Sequence, residues 1–315
     1  MPAPSPSERG YSMTTAARGA RILVFDSGLG GLTVLAEIAR ARPEAEIVYA
    51  ADDAFFPYGA LSEAALVARV GEVVAMLIER FAPDIVVIAC NTASTLVLAP
   101  LRAAHPAVAF VGTVPAIKPA AAASRSGLVS VLATPGTVAR DYTRALVRDF
   151  AGGCEVTLVG SVRLAEVAER RLRGEAIDDG EIAGEIAPCF VSRGDRRTDQ
   201  IVLACTHFPL LTDRFAALAP WPVALVDPAP AIARRVDALL GPPREAGGGR
   251  QPFPILFTSD RPPTPALRRA LHRRGLETDS ILEAGTDSVL GGRTERKLLA
   301  APPSPLAGED VGEAD

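Results

Sequence analysis

The 315-residue sequence predicts an α/β protein made of two pseudo-symmetric, doubly wound parallel sheets. Three observations carry this reading: short apolar runs that read as strands, helical patterns between most of them, and three pieces of sequence that recur in the same order. The strand runs are RILVF (21–25), EIVYA (46–50), DIVVIA (84–89), VAFV (108–111), LVSVLA (128–133), EVTLV (155–159), IVLA (201–204), VALV (223–226) and PILFT (254–258). They are apolar throughout rather than alternating, as strands are when both faces of a parallel sheet are covered. Helical spacing over 62–80 and 93–104 supplies that cover. The recurring pieces are ILVFDSGLGG (22–31) with VSVLATPGT (129–137), DIVVIACNTAS (84–94) with DQIVLACTHFP (199–209), and, more loosely, GTVPAIKPA (112–120) with VDPAPAIA (226–233). Their shared order indicates an internal duplication in which each half ends a strand in a cysteine.

Around this core, residues 1–20 are rich in Pro, Ser, Ala and Gly and read as a flexible N-terminal arm, with Met13 an alternative start. Residues 286–315, ending APPSPLAGEDVGEAD, read as a disordered tail, and GPPREAGGGRQP at 241–252 as a connector. The expected division is a first domain of 21–113 plus 226–285, carrying Cys90, and a second of 114–225, carrying Cys205.

Composition excludes several functions. A net charge of −4 leaves no basic footprint of the kind nucleic acids need, so nucleic acid is not an expected partner. Lys118 and Lys297 are the only lysines, and Lys297 falls in the tail, which argues against Schiff-base chemistry on pyridoxal phosphate. Cys90, Cys154, Cys189 and Cys205 show no C-x-x-C spacing, against a zinc site or a thioredoxin-like motif, so neither metal nor cofactor is expected. The N-terminus lacks the apolar segment of a secretory signal, and no apolar run is long enough to span a membrane. The expected location is the cytoplasm, where free thiols persist.

Ligands of such sheets sit beyond the carboxyl ends of the strands, where four polar clusters stand. They are Asp26-Ser27-Gly28 with Leu29-Gly30-Gly31, Pro57-Tyr58-Gly59, Cys90-Asn91-Thr92-Ala93-Ser94, and Cys205-Thr206-His207. The glycine-rich turn matches neither G-x-G-x-x-G nor a P-loop; it reads as a tight strand-to-helix turn exposing a carboxylate and backbone N–H groups. Cys90 and Cys205 each end a strand and open a turn read as entering a helix, whose N-terminus favours thiolate. For Cys154 and Cys189 the reading is a small buried hydrophobe. Two equivalent thiols facing one cleft suit racemisation: one thiolate removes an α-proton while the opposite thiol returns a proton to the other face. An amino acid's α-proton is very weakly acidic, so such a site must exclude water and stabilise charge with oriented dipoles. Asp26 could hold the substrate ammonium or a proton from Cys90.

DSGLGG, FFPYG, ACNTAS, GTVPAIKPA and ACTHFPLL, in this order over residues 21–240, closely resemble the glutamate racemase family within the aspartate/glutamate racemase superfamily. The resemblance implies two α/β domains with the active site in the cleft between them, no cofactor, no metal, and a role in supplying D-glutamate for peptidoglycan. It implies that Cys90 acts on D-glutamate and Cys205 on L-glutamate. Asp26, Ser27, Tyr58, Gly59, Asn91, Thr92, Thr206 and His207 would bind substrate, with Asp26, His207 and Glu166 as supporting acids and bases. Glu166 is carried over although the Cys-Pro that usually precedes the family glutamate is missing from LVGSVRLAE. The partner expected is glutamate, with a homodimer the assembly in view. The alternatives are a racemase of aspartate or a related amino acid, and a non-catalytic acidic amino-acid binder or gyrase inhibitor; the last two have no need of paired thiols.

Overall fold

The computed structural model describes residues 19–243 and 252–278. The arm over 1–18, most of the connector (244–251), and everything from 279 on, including the tail and Lys297, lie outside the described residues.

The described strands are β1 (Arg21–Asp26), β2 (Glu46–Ala51), β3 (Ile85–Ile88), β4 (Ala109–Gly112), β5 (Leu128–Ala133), β6 (Glu155–Gly160), β7 (Ser192–Arg193), β8 (Arg196–Arg197), β9 (Gln200–Ala204), β10 (Ala224–Val226), β11 (Phe253–Phe257) and β12 (Leu276–Glu277). The α-helices are α1 (Leu32–Ala41), α2 (Glu63–Phe81), α3 (Asn91–Ala104), α4 (Ile117–Ala123), α5 (Pro135–Ala139), α6 (Asp141–Phe150), α7 (Leu164–Leu172), α8 (Asp179–Ile186), α9 (Thr212–Leu218), α10 (Ala229–Leu240) and α11 (Pro265–His272). All nine apolar runs form strands. The exposed β7–β8 hairpin and the short β12 were not anticipated, because two-residue strands are too short to leave an apolar run.

One sheet has six strands in the order β12-β11-β2-β1-β3-β4, and the other has four in the order β10-β9-β5-β6. Every pairing in both is parallel. The central strands explain the apolar runs: the four residues of β3 and the six of β5 are all buried, with helices on either face. The orders β2-β1-β3-β4 and β6-β5-β9-β10 superimpose the three repeats, β1 on β5, β3 on β9 and β4 on β10. After β10 the chain returns to the first sheet, where Ile232, Ala233 and Val236 of α10 join the core beneath β1.

Helix boundaries follow local chemistry. Ser62 caps α2 by accepting from the Ala65 N–H, and the helix closes at Ala82, whose φ of 41° is left-handed. Cys90 occupies the N-cap of α3. Among the described residues no helix is long and apolar enough to cross a membrane.

Candidate active site

Sheet register makes the duplication chemical. Phe25 pairs with Ile88 in the first sheet, so two residues on, Ser27 falls beside Cys90. Ala133 pairs with Ala204 in the second, so one residue on, Thr134 falls beside Cys205. Both thiols thus leave the carboxyl end of a strand next to a hydroxyl residue, and both are buried.

In the first half, the Cys90 thiol donates to Ser27 Oγ at 3.6 Å. Asp26 lies fully buried and accepts from the Gly31 N–H at 2.9 Å and from the Tyr49 hydroxyl at 3.4 Å. Burial pushes the Asp26 carboxyl up, against the pull of His207 and of the Gly31 and Ser27 N–H groups. Burial, and then the charge of Asp26, push the Cys90 thiol well above its ordinary range. The expected thiolate-favouring effect of the helix N-terminus is overruled here: the Ala93 N–H pulls the other way but is outweighed.

In the second half, Cys205 Sγ lies 3.9 Å from His207 Nδ1, and His207 Nε2 lies 3.0 Å from Glu169 Oε1. Burial alone would lower the imidazole, but hydrogen bonds to Cys205 and Glu169 outweigh it and raise His207 well above its ordinary range. Burial would raise Glu169, yet His207, the Leu29 N–H and Arg173 together lower it. Cys205 does not cap an α-helix as expected. A turn and a 3₁₀ segment at Phe208–Leu211 intervene before α9, so His207, rather than a helix terminus, is the group set beside the sulfur.

The halves touch through the glycine-rich turn. The Leu29 N–H donates to Glu169 Oε1 at 2.7 Å, and the Phe56 ring lies 5.3 Å from the His207 ring. A Cβ on Gly28 would stand 2.5 Å from Glu169 Oε1, and one on Gly30 would collide with the His207 ring and come within 2.7 Å of its backbone nitrogen. These glycines serve close approach between the halves, beyond the tight turn read from the sequence.

Glu166 requires correction. It is exposed on α7, while Glu169, one turn further on, is buried against His207. Leu164, Val167, Ala168 and Leu172 set the buried stripe of α7, and helical phase carries Glu166 to the opposite side. That stripe was the available signal. Thr134 and Thr137 were also missed: their hydroxyls meet Thr92 Oγ1 across the halves at 3.1 and 3.5 Å. The repeat that aligns Ser27 with Thr134 could have found the first.

The remaining expected residues divide by availability. Asn91 is buried, and neither atom of its amide has a hydrogen-bond partner among the described residues. Thr206 is buried beside Cys205. Tyr58 spends its hydroxyl on Asp52 at 2.6 Å, where Arg69 and Thr258 also converge, so the Tyr58-Gly59 backbone is what remains for a ligand. Gly59 is exposed, with nothing within 4 Å of a Cβ built on it. Ser94 is committed to the backbone, donating to Ile88 O and accepting from the Thr113 N–H. Cys189 is buried in the second core and Cys154 half-buried against Ala121 O. Among the described residues, no group of three or more His, Cys, Asp and Glu side chains is placed to hold a metal ion.

The chain matches the Asp/Glu/Hydantoin racemase family over residues 25–236. It is 55% identical to a glutamate racemase of Brucella anthropi over 255 residues, which cover 81% of this chain and 92% of that protein. A glutamate racemase of Brucella ovis is 53% identical with the same coverage. Among solved structures, Escherichia coli glutamate racemase, in complex with L-glutamate and the activator UDP-MurNAc-Ala, superimposes with a TM-score of 0.75 at 39% identity, covering 82% of this chain and 96% of that one. A glutamate racemase isoform from Bacillus anthracis gives 0.68 at 26% identity, covering 83% and 96%. Parallel sheets in two sets, with a buried thiol leaving an equivalent strand of each, accompany this likeness: the chain belongs to the Asp/Glu/Hydantoin racemase family and is an isomerase.

Proposed function

We propose that the protein is a glutamate racemase that interconverts L- and D-glutamate through Cys90 and Cys205, without a cofactor. The observation that carries the reading is the pair of register-equivalent buried thiols, one bonded to Ser27 beside Asp26 and one beside the His207–Glu169 pair. With L-glutamate bound, Cys205 as thiolate takes the α-proton: the Cα–H bond breaks and an S–H bond forms. Cys90 then gives its thiol proton to the opposite face of the carbanion, forming D-glutamate and leaving Cys90 as thiolate. D-glutamate reverses every step. His207 donates to the Cys205 sulfur when that sulfur is anionic, and Glu169 holds the imidazole in place.

Substrate contacts follow from free polar groups. The unpartnered Asn91 amide offers a donor to a carboxylate and an acceptor to an ammonium. Thr92 with Thr134 and Thr137, Ser27, Thr206 and the Tyr58-Gly59 backbone supply further donors, and the buried carboxylate of Asp26 faces the ammonium. The reading includes cytoplasmic action, self-association as a homodimer, and supply of D-glutamate to peptidoglycan.

Circular dichroism of L-glutamate mixed with chelator-dialysed protein tests the activity: the signal should decay to zero, and a constant signal refutes it. Faster decay with L-aspartate would reassign the substrate. In deuterated water, the first D-glutamate formed should carry deuterium at Cα while the remaining L-glutamate stays protiated, and the mirror result should follow from D-glutamate. Early product rich in protium in both directions would mean a single shared base.

A further inference from the structure

The turn over 52–59 reaches both halves of the site and is held by a strand from outside it. Its Phe56 ring meets the His207 ring, and Tyr58 packs in the same buried cluster as Cys90. What fixes the turn stands 206 residues further along the chain. β11 lies against β2 with Phe257 paired to Ala51, so one residue on, Thr258 falls beside Asp52. The Thr258 N–H donates to the Ala51 carbonyl at 3.1 Å, carrying the ladder one step past the strand end.

The Thr258 hydroxyl works in two directions. It donates to Asp52 Oδ1 at 2.6 Å and accepts from the Ala54 N–H at 3.3 Å. Asp52 is fully buried and also accepts from the Tyr58 hydroxyl at 2.6 Å and from Arg69 at 2.6 and 3.0 Å. The next residues repeat the arrangement: Ser259 donates its N–H, at 2.9 Å, and its hydroxyl to the carboxylate of Asp53. Arg69 braces the other side, its guanidinium 4.2 Å from the centre of the Phe55 ring. A buried carboxylate is costly unless its oxygens are satisfied. A hydroxyl that donates to that carboxylate while accepting from the turn's own backbone ties the two together, which valine, of the same shape, cannot do. Among the described residues, no Thr258 hydrogen bond runs to Cys90, Cys205 or His207.

We propose that Thr258, with Ser259 beside it, is a positioning residue for substrate: its hydroxyl sets the 52–59 turn so that the Tyr58-Gly59 backbone grips a substrate carboxylate. The inference rests on the racemase reading for the identity of that substrate. A grip lost equally from the bound substrate and from the transition state raises KM and leaves kcat.

Racemisation kinetics and backbone hydrogen exchange of the full-length protein test it together. Thr258→Val should raise KM for both glutamate enantiomers about tenfold, the scale of one hydrogen bond to a charged group, with kcat within about twofold of wild type. The amides of residues 54–61 should exchange about fivefold faster or more, while those of α3 exchange as in wild type. Thr258→Ser, which keeps the hydroxyl, should restore both values. Ser259→Ala should shift KM and exchange in the same direction by less, because its backbone bond to Asp53 survives. Faster exchange with KM unchanged, a fall in kcat at constant KM, or a serine variant as impaired as the valine one would each overturn the proposal. A wild type that leaves glutamate unchanged would instead sink the racemase reading. The exchange of Thr258→Val then decides the positioning role by itself, and unaltered exchange over 54–61 refutes it.

Discussion

Cys90 and Cys205 stand at matching positions of two related sheets, yet their surroundings solve opposite problems. Beside Cys90 the strand itself ends in an acid, Asp26, which after burial is the next cause raising the thiol. At the matching place beside Cys205 the strand ends in Ala133, and the acid comes from a helix: Glu169 of α7, acting through His207. One half therefore sets an acid directly beside its thiol, and the other sets a histidine–glutamate pair there. The difference shows how a duplicated scaffold acquires two chemical roles: the register is kept, and the charges around it are exchanged. Under the proposed mechanism, the thiol beside His207 is the one that takes the α-proton of the L-enantiomer. Because enantiomers have equal free energies, kcat/KM must still be equal in the two directions, so the asymmetry can appear only in kcat and KM separately and in isotope effects.

The comparison breaks most severely if either thiol is dispensable. Cys90→Ala and Cys205→Ala should each lower racemisation by about 10³-fold or more, the scale of a positioned proton carrier, measured by circular dichroism of both pure enantiomers. Retention of activity by either variant would remove the two-thiol basis. Next in size, Glu169→Gln should lower kcat by about 10²-fold and cost about 3 kcal/mol of stability in urea melts, because it leaves one member of a buried charged pair unpartnered. Glu166→Gln should stay within about twofold on both activity and stability, being a surface change. Equal effects of the two glutamate substitutions would undo the assignment of Glu169.

The contact between the halves can be tested sterically. Gly30→Ala places a methyl group against the His207 ring and should cost about 1–3 kcal/mol, with a matching fall in activity. Gly59→Ala, with open space around it, should leave the thermal midpoint unchanged. Titration sharpens the picture further. Because the His207 pKa is raised on folding, its stabilisation is complete below about pH 6.5 and lost as pH rises through the elevated folded value. The gap in thermal midpoint between wild type and His207→Asn should therefore narrow toward alkaline pH; a gap that widens would contradict the assignment of a charged imidazole. The smallest effects belong to the other cysteines. Burial pushes the Cys189 thiol up to about 12, so it should resist iodoacetamide at neutral pH, and Cys154→Ala and Cys189→Ala should both remain active.

The sequence by itself determined the sheets and the thiols. Strands buried on both faces must be apolar along their whole length, so β1, β3, β5 and β9 announce themselves, and with them the polar residues that follow at their carboxyl ends. Thus the placement of Asp26, Cys90, Cys205 and His207 at or just beyond the carboxyl ends of strands was legible from local pattern and order. Only the tertiary structure decided which acid serves His207, since Glu166 and Glu169 are both charged residues of one helix and differ only in phase. It also showed that Tyr58 turns its hydroxyl to Asp52, that Thr134 and Thr137 reach Thr92, and that the glycines of the first turn make room for His207. Most of these depend on contacts between segments far apart in the chain, and Tyr58 on how its own turn folds back onto Asp52. Pattern along one chain records which face of an element is buried; what that face meets is set when the two halves pack together.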